Sequence, residues 1–417
     1  MSASTQLPDL PPVQDRIVII GSGIVGSCLA SILSTRLAAS SSSRKVILVD
    51  RDIHSLPGST GHAPGFVGQY NSLPVLTELA KRSVKHYLGI EGGFQQVGGL
   101  EVGTGLEGRC EDAKKVGLEA KLLDKQQVLD LAPGFVRPDT LANDGPAGLF
   151  FPLDGTANAK AISHNQQSVA KANGAILLNA DVTTITPTST STSSHPRYVL
   201  ETTLGQIETS TLVLCTGIWA SQLLPSFRET VVSVSHPYSY SIEHASRSKT
   251  PFIRWPASHV YARDHGTADG LGSYNHDPIK VSSEEIASSK SAYGRWEDSF
   301  DQVLRDGYDL LPDDKAATFQ LKEGGQAHRF NGIFSVTPDG LPLVGQDGNG
   351  LYAGVGVWVT HAAGSAGLLA DMILGEGTAG DEELRKALDP RRFDGLEPQQ
   401  LEKRALGKYN DIYNKEG

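Results

Sequence analysis

Short apolar runs separated by a glycine-rich turn open the chain and predict a strand–helix–strand unit. Arg16–Ile20 is a β-branched run that ends in glycines, and Ile24–Leu37 has the length and the small residues of a helix that packs closely on a sheet. Lys45–Asp50 is a second buried strand, and this order predicts a parallel sheet. Two later apolar runs, Ala175–Asn179 and Thr211–Thr216, are interpreted as further strands of the same sheet.

The pattern changes in the middle of the chain. Residues 229–280 are rich in Tyr, Ser, His and Thr with weak alternation, which predicts antiparallel strands, and Gly-rich apolar character returns over residues 332–367. We therefore expect a discontinuous α/β domain into which an antiparallel-sheet domain is inserted. The predicted ranges are 14–94, 150–225 and 330–380 for the first domain, 95–149 and 226–329 for the second, 1–13 for a disordered tail and 381–417 for a charged C-terminal tail with no assigned chemistry.

Composition and charge narrow the function classes. The chain has 417 residues, more than the roughly 250–300 at which a single core stops growing, and its net charge of −10 argues against nucleic acid as the main partner. Cys28, Cys110 and Cys215 match no zinc spacing, and an odd number argues against a disulfide framework. The sequence shows neither a signal-peptide pattern nor the ~20 consecutive apolar residues of a membrane span. We therefore expect a cytoplasmic protein with no membrane partner.

A glycine motif lies between the first strand and the first helix. Residues 21–26, Gly-Ser-Gly-Ile-Val-Gly, fit G-x-G-x-x-G, whose glycines allow a tight turn, close approach of a pyrophosphate and close helix packing. The positive end of the helix dipole then faces the phosphates, and a carboxylate at the end of the next strand can bind ribose hydroxyls. The predicted dinucleotide contacts are Gly21, Gly23, Ile24, Val25, Gly26, Asp50 and Arg51. The motif alone does not separate FAD from NAD.

A loop rich in small residues follows the second strand. Its run Ser59-Thr60-x-His62-Ala63-x-Gly65 resembles the flavin-attachment segment of dimethylglycine oxidases and of dimethylglycine and sarcosine dehydrogenases, in the D-amino-acid-oxidase-like group of flavoenzymes. In those relatives the histidine is bonded through its ring to the 8α-methyl of FAD, so the resemblance implies covalent FAD at His62. A loop histidine without any such bond is the alternative. The flavin contacts that the resemblance implies in this loop are Ser59, Thr60, His62, Ala63, Gly65 and Val67.

Further matches to this family follow in order along the chain. Cys215–Ala220 resembles the segment that passes near FAD a second time, Asp181–Val182 lies where the family packs backbone on adenine, and residues 331–343 and 356–364 resemble the C-terminal flavin-side block. The contacts implied are Val182, Thr216, Gly217, Trp219, Gly340, Gly356, Val357, Trp358, Thr360 and His361. The expected fold is then a Rossmann-type FAD-binding domain, α/β in class and α+β overall, with an antiparallel-sheet substrate domain inserted.

Two segments of the second domain resemble family strands that carry active-site residues. Carried over, they imply His236 and Tyr261 as the catalytic pair, since a histidine can act as a base and a tyrosine hydroxyl can position substrate. A surface histidine and a core aromatic are the alternatives. The candidates to bind a substrate carboxylate are Arg254, Arg263 and Arg329. His265 and His276 are interpreted as structural, and the histidines show no metal-like spacing, so no metal is expected.

The resemblance implies FAD-dependent oxidation of a small secondary or tertiary amine. An N-methylated amino acid such as dimethylglycine or sarcosine would give an imine that hydrolyses to an amine and an aldehyde, with oxygen or a protein as electron acceptor. The alternatives are an oxidase of another amino acid or of a secondary-metabolite amine, and a non-catalytic flavin-binding protein. Dimethylglycine oxidases and dehydrogenases carry a folate-binding region after this domain. Because the sequence ends at Gly417, we expect no folate domain here.

Overall fold

The fold was obtained as a computed structural model, which describes residues 6–188, 197–247, 249–319, 328–348, 350–377 and 379–410. The strands are β1 (Arg16–Ile20), β2 (Lys45–Asp50), β3 (Phe66–Val67), β4 (Phe94–Gln95), β5 (Gly99–Val102), β6 (Lys121–Leu123), β7 (Gly148–Phe151), β8 (Gly155–Ala157), β9 (Ile176–Asn179), β10 (Val182–Thr188), β11 (Arg197–Thr202), β12 (Gly205–Thr209), β13 (Thr211–Leu214), β14 (Val232–Tyr240), β15 (Phe252–Trp255), β16 (Val260–Asp264), β17 (Asp269–Ser273), β18 (Tyr293–Gly294), β19 (His328–Val336), β20 (Leu343–Gly348) and β21 (Leu351–Val355). The helices are α1 (Ile24–Ala39), α2 (Pro74–Tyr87), α3 (Glu107–Lys115), α4 (Lys125–Leu131), α5 (Ala159–Ala172), α6 (Ala220–Leu223), α7 (Ser283–Ser288), α8 (Phe300–Tyr308), α9 (Asp313–Ala317), α10 (Ala362–Leu374), α11 (Glu382–Leu388) and α12 (Pro398–Asn410). Short 3-10 helices lie at Val13–Asp15, Ser59–His62, Pro138–Thr140, Gly217–Trp219, Pro225–Phe227, Pro256–Ser258, Val359–His361 and Ala379–Asp381.

A parallel sheet, six-stranded over the described residues, has the strand order β20-β21-β13-β1-β2-β9, with only β20 antiparallel to its neighbour. Alternate residues of β1 face opposite sides. Ile17 and Ile19 pack with α1 and α10, whereas Val18 and Ile20 pack with the β10-β11-β12 sheet on the other face. Both faces are covered, which explains the continuous apolar runs in the sequence. The predicted strand–helix–strand unit and the α/β class are confirmed.

A second sheet carries the residues predicted to face substrate. Within the described ranges it has the strand order β18-β19-β14-β17-β16-β15-β5-β7-β6, antiparallel except for the pair β5 and β15. Val128 of α4 and Leu304 of α8 belong to the same buried cluster as Ile253 and Leu271 of the sheet. β14 and β16 flank β17, so side chains from these two strands can meet across it.

Two predicted domain boundaries fall inside strands of this second sheet. β7 pairs with β5 along its length and β19 pairs with β14 along its length, although the predictions divide the chain between residues 149 and 150 and between 329 and 330. Residues 150–151 and 330–336 therefore belong to the second sheet rather than to the parallel-sheet domain, because strand pairing holds them there.

Both predicted tails contact the core. Leu7 and Leu10 pack against the apolar cluster on the β10–β12 side, which differs from the disordered tail predicted for residues 1–13; residues 1–5 lie outside the described ranges. The predicted C-terminal tail contains α11 and α12, and residues 411–417 lie outside the described ranges. Leu401, Ala405 and Tyr409 are buried on one face of α12 at four-residue spacing.

Candidate active site

The glycine turn joins β1 to α1 beside the ends of β2 and β13. Gly21 has a φ of +102°, a conformation that side chains rarely adopt, and a Cβ at Gly26 would collide with the carbonyl oxygen of Gly21. The backbone N–H of Ser22 donates to a carboxylate oxygen of Asp50 at 2.6 Å, which ties the turn to the end of β2. The turn itself therefore requires glycine at both positions.

The loop that carries His62 crosses this turn. The hydroxyl of Thr60 accepts a hydrogen bond from the backbone N–H of Ile24 at 3.0 Å. The hydroxyl of Ser59 donates to the carbonyl oxygen of Ile333 at 2.8 Å. Since Ile24 begins α1 and Ile333 lies in β19, the loop is fixed at the junction of the two sheets.

The ring of His62 is held in one tautomer. Its Nδ1 lies 2.8 Å from the carbonyl oxygen of Gly58, and because a carbonyl only accepts, Nδ1 carries the proton and Nε2 has a lone pair. Nε2 is buried and has no hydrogen-bond partner among the described residues. Burial also lowers the pKa of the ring. His62 is therefore a neutral imidazole with an uncommitted nitrogen.

Arg51 and Trp219 form a stacked pair beside the end of β2. The guanidinium of Arg51 lies 4.7 Å from the centre of the Trp219 ring and pairs with Asp181 at 3.6 Å. The indole N–H of Trp219 donates to the carbonyl oxygens of Ile286 and Ser289 at 3.1 and 3.2 Å. Both side chains are thus fixed by contacts on more than one element.

The turn after β21 leads into α10. The hydroxyl of Thr360 donates to the carbonyl oxygen of Phe66 at 2.9 Å. The indole N–H of Trp358 donates to the backbone carbonyl oxygen of Ser335 at 3.0 Å. His361 ends this turn, and burial lowers its pKa to about 4. The imidazole of His361 is therefore neutral at pH 7.

His236 and Tyr261 are joined by a direct hydrogen bond. His236 lies in β14 and Tyr261 in β16, and the distance from His236 Nε2 to the Tyr261 hydroxyl is 2.6 Å. The two residues are 5% and 3% exposed, so His236 is not a surface histidine. The structure brings the predicted pair together, while their catalytic role stays a prediction.

Tyr409 is a member of this group that the sequence reasoning missed. Its hydroxyl lies 2.9 Å from Nδ1 of His236 and 2.6 Å from Nε2 of His276. His276, interpreted from the sequence as structural, therefore connects to the predicted catalytic pair, whereas His265 bonds the hydroxyl of Tyr238 at 2.8 Å. The four-residue apolar spacing of α12 indicates that Tyr409 is buried, but it does not indicate against which partner.

One continuous cavity of about 340 Å³, lined by described residues, links these parts. It runs from the glycine turn to the His236–Tyr261 pair. The predicted residues that line it are Gly21, Gly23, Ile24, Val25, Asp50, Arg51, Ser59, Thr60, His62, Ala63, Gly65, Val182, Thr216, Gly217, Trp219, His236, Tyr261, Gly356, Val357, Trp358, Thr360 and His361.

Three predicted cofactor contacts are not among the described lining residues. Gly26 packs against the backbone of Gly21, where it permits the approach of α1 to β1. Val67 is fully buried in the core beneath α1 and α10. Gly340 has a φ of +77° in a turn next to Lys408. These residues shape the fold around the cavity.

The three candidate arginines have different surroundings. Arg254 lines the cavity and pairs with the buried carboxylate of Glu101. Arg263 donates to two backbone carbonyl groups, and Arg329 pairs with Asp301 at a partly exposed position. Neither of these two is among the described lining residues, so Arg254 is the candidate that the structure brings to the cavity.

The donor set of the cavity fits a flavin dinucleotide. The glycine turn and the start of α1 give close access to backbone, and the Asp50 carboxylate retains acceptor capacity beside them. The buried, uncommitted Nε2 of His62 lies further along, among apolar lining groups that suit a flat ring. Fold and site together define a dinucleotide-dependent oxidoreductase.

The family model described as "DAO: FAD dependent oxidoreductase" matches residues 16–372, so the chain belongs to this family of FAD-dependent oxidoreductases. The expected family, oxidoreductase class and FAD cofactor are confirmed. Mitochondrial sarcosine dehydrogenase of Mus musculus is 27% identical over 378 residues, which cover 85% of this chain and 39% of that protein. The chain therefore spans about two-fifths of the length of this curated relative.

Solved structures of a proline dehydrogenase and of a glycine oxidase share the fold. L-proline dehydrogenase from P. horikoshii superimposes with a TM-score of 0.73 at 20% identity, covering 92% of this chain and 98% of that one. Glycine oxidase from Geobacillus kaustophilus gives a TM-score of 0.69 at 19% identity, covering 92% and 100%. Within the described ranges, no helix is long and apolar enough to cross a membrane, and no group of His, Cys, Asp and Glu could hold a metal ion.

Proposed function

We propose that the protein oxidises the C–N bond of a small secondary or tertiary amine, of the class of dimethylglycine and sarcosine. The product is an imine that hydrolyses to an amine and an aldehyde. The observation that carries this proposal is the cavity that joins the glycine turn and His62 to the buried His236–Tyr261 pair. When bound, FAD supplies the acceptor for the two electrons of the oxidised bond.

Aromatic side chains form the walls of the substrate end. They are Phe66, Tyr238, Phe252, Tyr261, Tyr274 and Phe330. The rings of Phe66 and Phe252 stack with their centres 4.3 Å apart, and those of Phe252 and Tyr261 lie 5.6 Å apart. Such walls exclude water, and their ring faces attract the positive charge of an alkylated ammonium group. A small methylated amine matches both properties.

The pair at this end is suited to accept a proton from the amine. Burial holds the pKa of His236 well below its usual value, so the imidazole is neutral and disfavours keeping a second proton. Its Nε2 has a lone pair toward Tyr261 and its Nδ1 lies 2.9 Å from the hydroxyl of Tyr409, so in this proposal it receives a proton on one side and passes one on at the other. Tyr261 and His236 both line the cavity, and the Tyr261 hydroxyl lies 2.6 Å from Nε2 of His236, so in this proposal Tyr261 passes the proton of the substrate to His236. Oxidation at carbon needs the neutral amine, so removal of this proton prepares the substrate.

Arg254 binds the carboxylate of an amino-acid substrate in this proposal. Arg254 and Arg109 both pair with the single carboxylate of Glu101, with Arg109 bound through two atoms at 2.7 and 3.0 Å. Burial acts to raise the pKa of Glu101, but the two guanidinium charges lower it below its usual value. Asp154 is a second carboxyl near these arginines, and burial raises its pKa to about 7, so it is mainly protonated below that pH. Two positive groups and one negative group then leave a net positive charge, which suits a substrate carboxylate.

We also propose that His62 holds FAD covalently. The support is the neutral ring with its buried, uncommitted Nε2, since a lone pair in that position is what bond formation requires. Purified protein, denatured and run on an electrophoresis gel, is expected to keep a fluorescent flavin band that His62→Ala lacks. His54→Ala is the matched control, because His54 is an exposed histidine of the same segment. Loss of fluorescence from wild-type protein on denaturation contradicts the covalent bond.

The substrate proposal is tested by anaerobic reduction of the flavin. Sarcosine, dimethylglycine, larger N-methylated amines and unmethylated amino acids are mixed separately with the yellow protein. The small N-methylated amino acids are expected to bleach it fastest, and admission of air then reports whether oxygen or another acceptor is needed. Faster reduction by an unmethylated amino acid would mean that the substrate is an amino acid without an N-methyl group. If no amine reduces the flavin, the protein binds flavin without the proposed activity.

A further inference from the structure

We propose that Tyr409 and His276 extend the His236–Tyr261 pair into a proton relay that carries a proton from the cavity to the protein surface. This inference rests on the proposed amine oxidation, which releases a proton from the substrate. It assigns a role to α12, a helix outside the matched family range of residues 16–372.

Four side chains from four parts of the chain form the relay. The Tyr261 hydroxyl lies 2.6 Å from Nε2 of His236, whose Nδ1 lies 2.9 Å from the hydroxyl of Tyr409. The same hydroxyl lies 2.6 Å from Nε2 of His276. Nδ1 of His276 lies 2.7 Å from the carbonyl oxygen of Asp277. Tyr261 lines the cavity, whereas His276 is half-buried and Asp277 is exposed.

The carbonyl group at the outer end fixes the direction of every hydrogen bond. A carbonyl oxygen only accepts, so Nδ1 of His276 carries a proton and its Nε2, in the neutral ring, accepts from the hydroxyl of Tyr409. Tyr409 has then used its one proton, so Nδ1 of His236 must donate to it. Nε2 of His236 therefore accepts from the hydroxyl of Tyr261. All donors point away from the cavity.

This direction is the one that outward proton transfer requires. The substrate ammonium gives its proton to the Tyr261 oxygen, and the Tyr261 proton passes to Nε2 of His236. The Nδ1 proton of His236 passes to Tyr409, and the Tyr409 proton passes to Nε2 of His276. Each N–H or O–H bond that breaks is matched by one that forms, and no electrons are transferred. The substrate becomes the neutral amine and His276 becomes the imidazolium.

Burial explains why the charge ends on His276 rather than on His236. Burial, and secondly the neighbouring His276, lower the pKa of His236 well below its usual value. Burial lowers the pKa of His276 as well, but the carbonyl and the charge of Asp277 act in the opposite direction. The titratable or charged groups that face His276 are Tyr409 of α12, Asp277 of its own loop and, through Tyr409, His236. Phe300 of α8 also packs on its ring and is uncharged.

The end of α12 is held at the relay by contacts other than those of Tyr409. The side-chain amide of Asn410 donates to the carbonyl oxygens of Tyr274 and His276 at 3.1 and 2.8 Å. The ammonium of Lys280 pairs with Glu402 at 2.6 Å. Removal of one hydroxyl therefore leaves the helix docked, so Tyr409→Phe is a conservative probe of the relay.

The kinetic test compares rate constants of anaerobic flavin reduction by sarcosine across pH for wild type, Tyr409→Phe and His276→Ala. We expect each variant to slow reduction by at least about tenfold at pH 7, with the substrate Kd within twofold. The deficit should narrow to less than about threefold near pH 9.5, since an alkylammonium with a pKa of about 10.4 then loses protons to water more readily. Tyr198→Phe, a buried tyrosine in the β10–β12 sheet, is the matched control and should match wild type. A deficit that is equal at all pH values, or absent, overturns the relay.

A second readout needs no substrate. Proteins with ¹⁵N-labelled histidine report by NMR which ring nitrogen carries the proton, with His236→Asn and His276→Asn used for assignment. Both histidines are expected as Nδ1–H tautomers in wild type. An Nε2–H tautomer at either position overturns the relay even if amines reduce the flavin. If no amine reduces the flavin while both tautomers are as expected, the proposed substrate fails and the hydrogen-bond chain stands.

Discussion

Asp154 provides a quantitative test of how the loop beside the cavity is held. This residue is 2% exposed, and its carboxyl group accepts a hydrogen bond from the backbone N–H of Gln69, just after β3, at 2.9 Å. Burial raises its pKa from 3.8 to about 7. The folded state therefore binds this proton more tightly than the unfolded state does. The stability that it contributes is fully present below pH 3.8 and is lost as the pH rises through 7.

The size of this effect follows from linkage. Between pH 5 and pH 8 the folded protein releases the proton of Asp154, whereas the unfolded chain has already lost most of it at pH 5. With 1.36 kcal/mol for each pH unit, the free energy of unfolding falls by about 2.6 kcal/mol over this range because of this group. Asp154→Asn keeps an oxygen that accepts the hydrogen bond from Gln69, but its side chain cannot ionise. The free energy of unfolding of this variant therefore does not fall over this pH range because of residue 154.

The assay is urea unfolding of flavin-loaded wild type and Asp154→Asn at pH 5 and pH 8. The free energy of unfolding of the variant minus that of wild type should increase by about 2.6 kcal/mol as the pH rises from 5 to 8. Asp144→Asn, at an exposed position, is the control for loss of one carboxylate. Parallel pH profiles for wild type and Asp154→Asn would contradict this prediction, because they would mean that Asp154 is ionised in the folded state at pH 5.

Three further predictions concern the cavity. Gly26→Ala should lose flavin during purification, because the added Cβ meets the carbonyl oxygen of Gly21. In the control Gly367→Ala the added Cβ meets open space, so this variant should retain flavin. Equal flavin content in the two variants would contradict this explanation. Arg254→Lys should raise the KM for N-methylated amino acids by about tenfold or more, since a bidentate contact with the carboxylate is lost. The KM for amines without a carboxylate should stay within about twofold. Equal effects on both substrate sets would show that Arg254 does not bind the carboxylate. His361→Asn should resist acid better than wild type. A buried imidazole with a pKa lowered to about 4 contributes stability above pH 6.5 that is lost as the pH falls through 4. If the unfolding midpoints of the two proteins stay parallel from pH 7.5 to 4, His361 does not titrate in this way.

Local sequence patterns predict the elements at the glycine-turn end of the cavity. The glycine turn, β2 ending in Asp50 and the loop with His62 follow one another within about fifty residues, and each has a local signal in glycines, β-branched residues or small residues. Neighbouring segments of this kind form contacts that the chain order already implies. The sequence therefore predicts both the elements and their arrangement at this end.

Contacts between distant segments explain what the sequence did not predict. Tyr409 and His236 are 173 residues apart, and the apolar spacing of α12 indicates burial without identifying the partner. β19 was divided by a predicted boundary because its Gly-rich end resembles the flavin-side block, although pairing with β14 fixes it in the second sheet. Among the arginines, only the fold separates Arg254 at the cavity from Arg263 and Arg329, since their local sequences give no such distinction.

We propose that the protein oxidises an amine C–N bond in the cavity that joins the glycine turn to His236 and Tyr261. The most direct measurement is product analysis after a single anaerobic turnover of flavin-loaded protein with sarcosine. The proposed activity predicts that formaldehyde and glycine appear in amounts equal to the flavin that becomes reduced, and that Tyr261→Phe with full flavin content forms them more slowly. Reduced flavin without aldehyde, or flavin that sarcosine and dimethylglycine both leave oxidised, would contradict it.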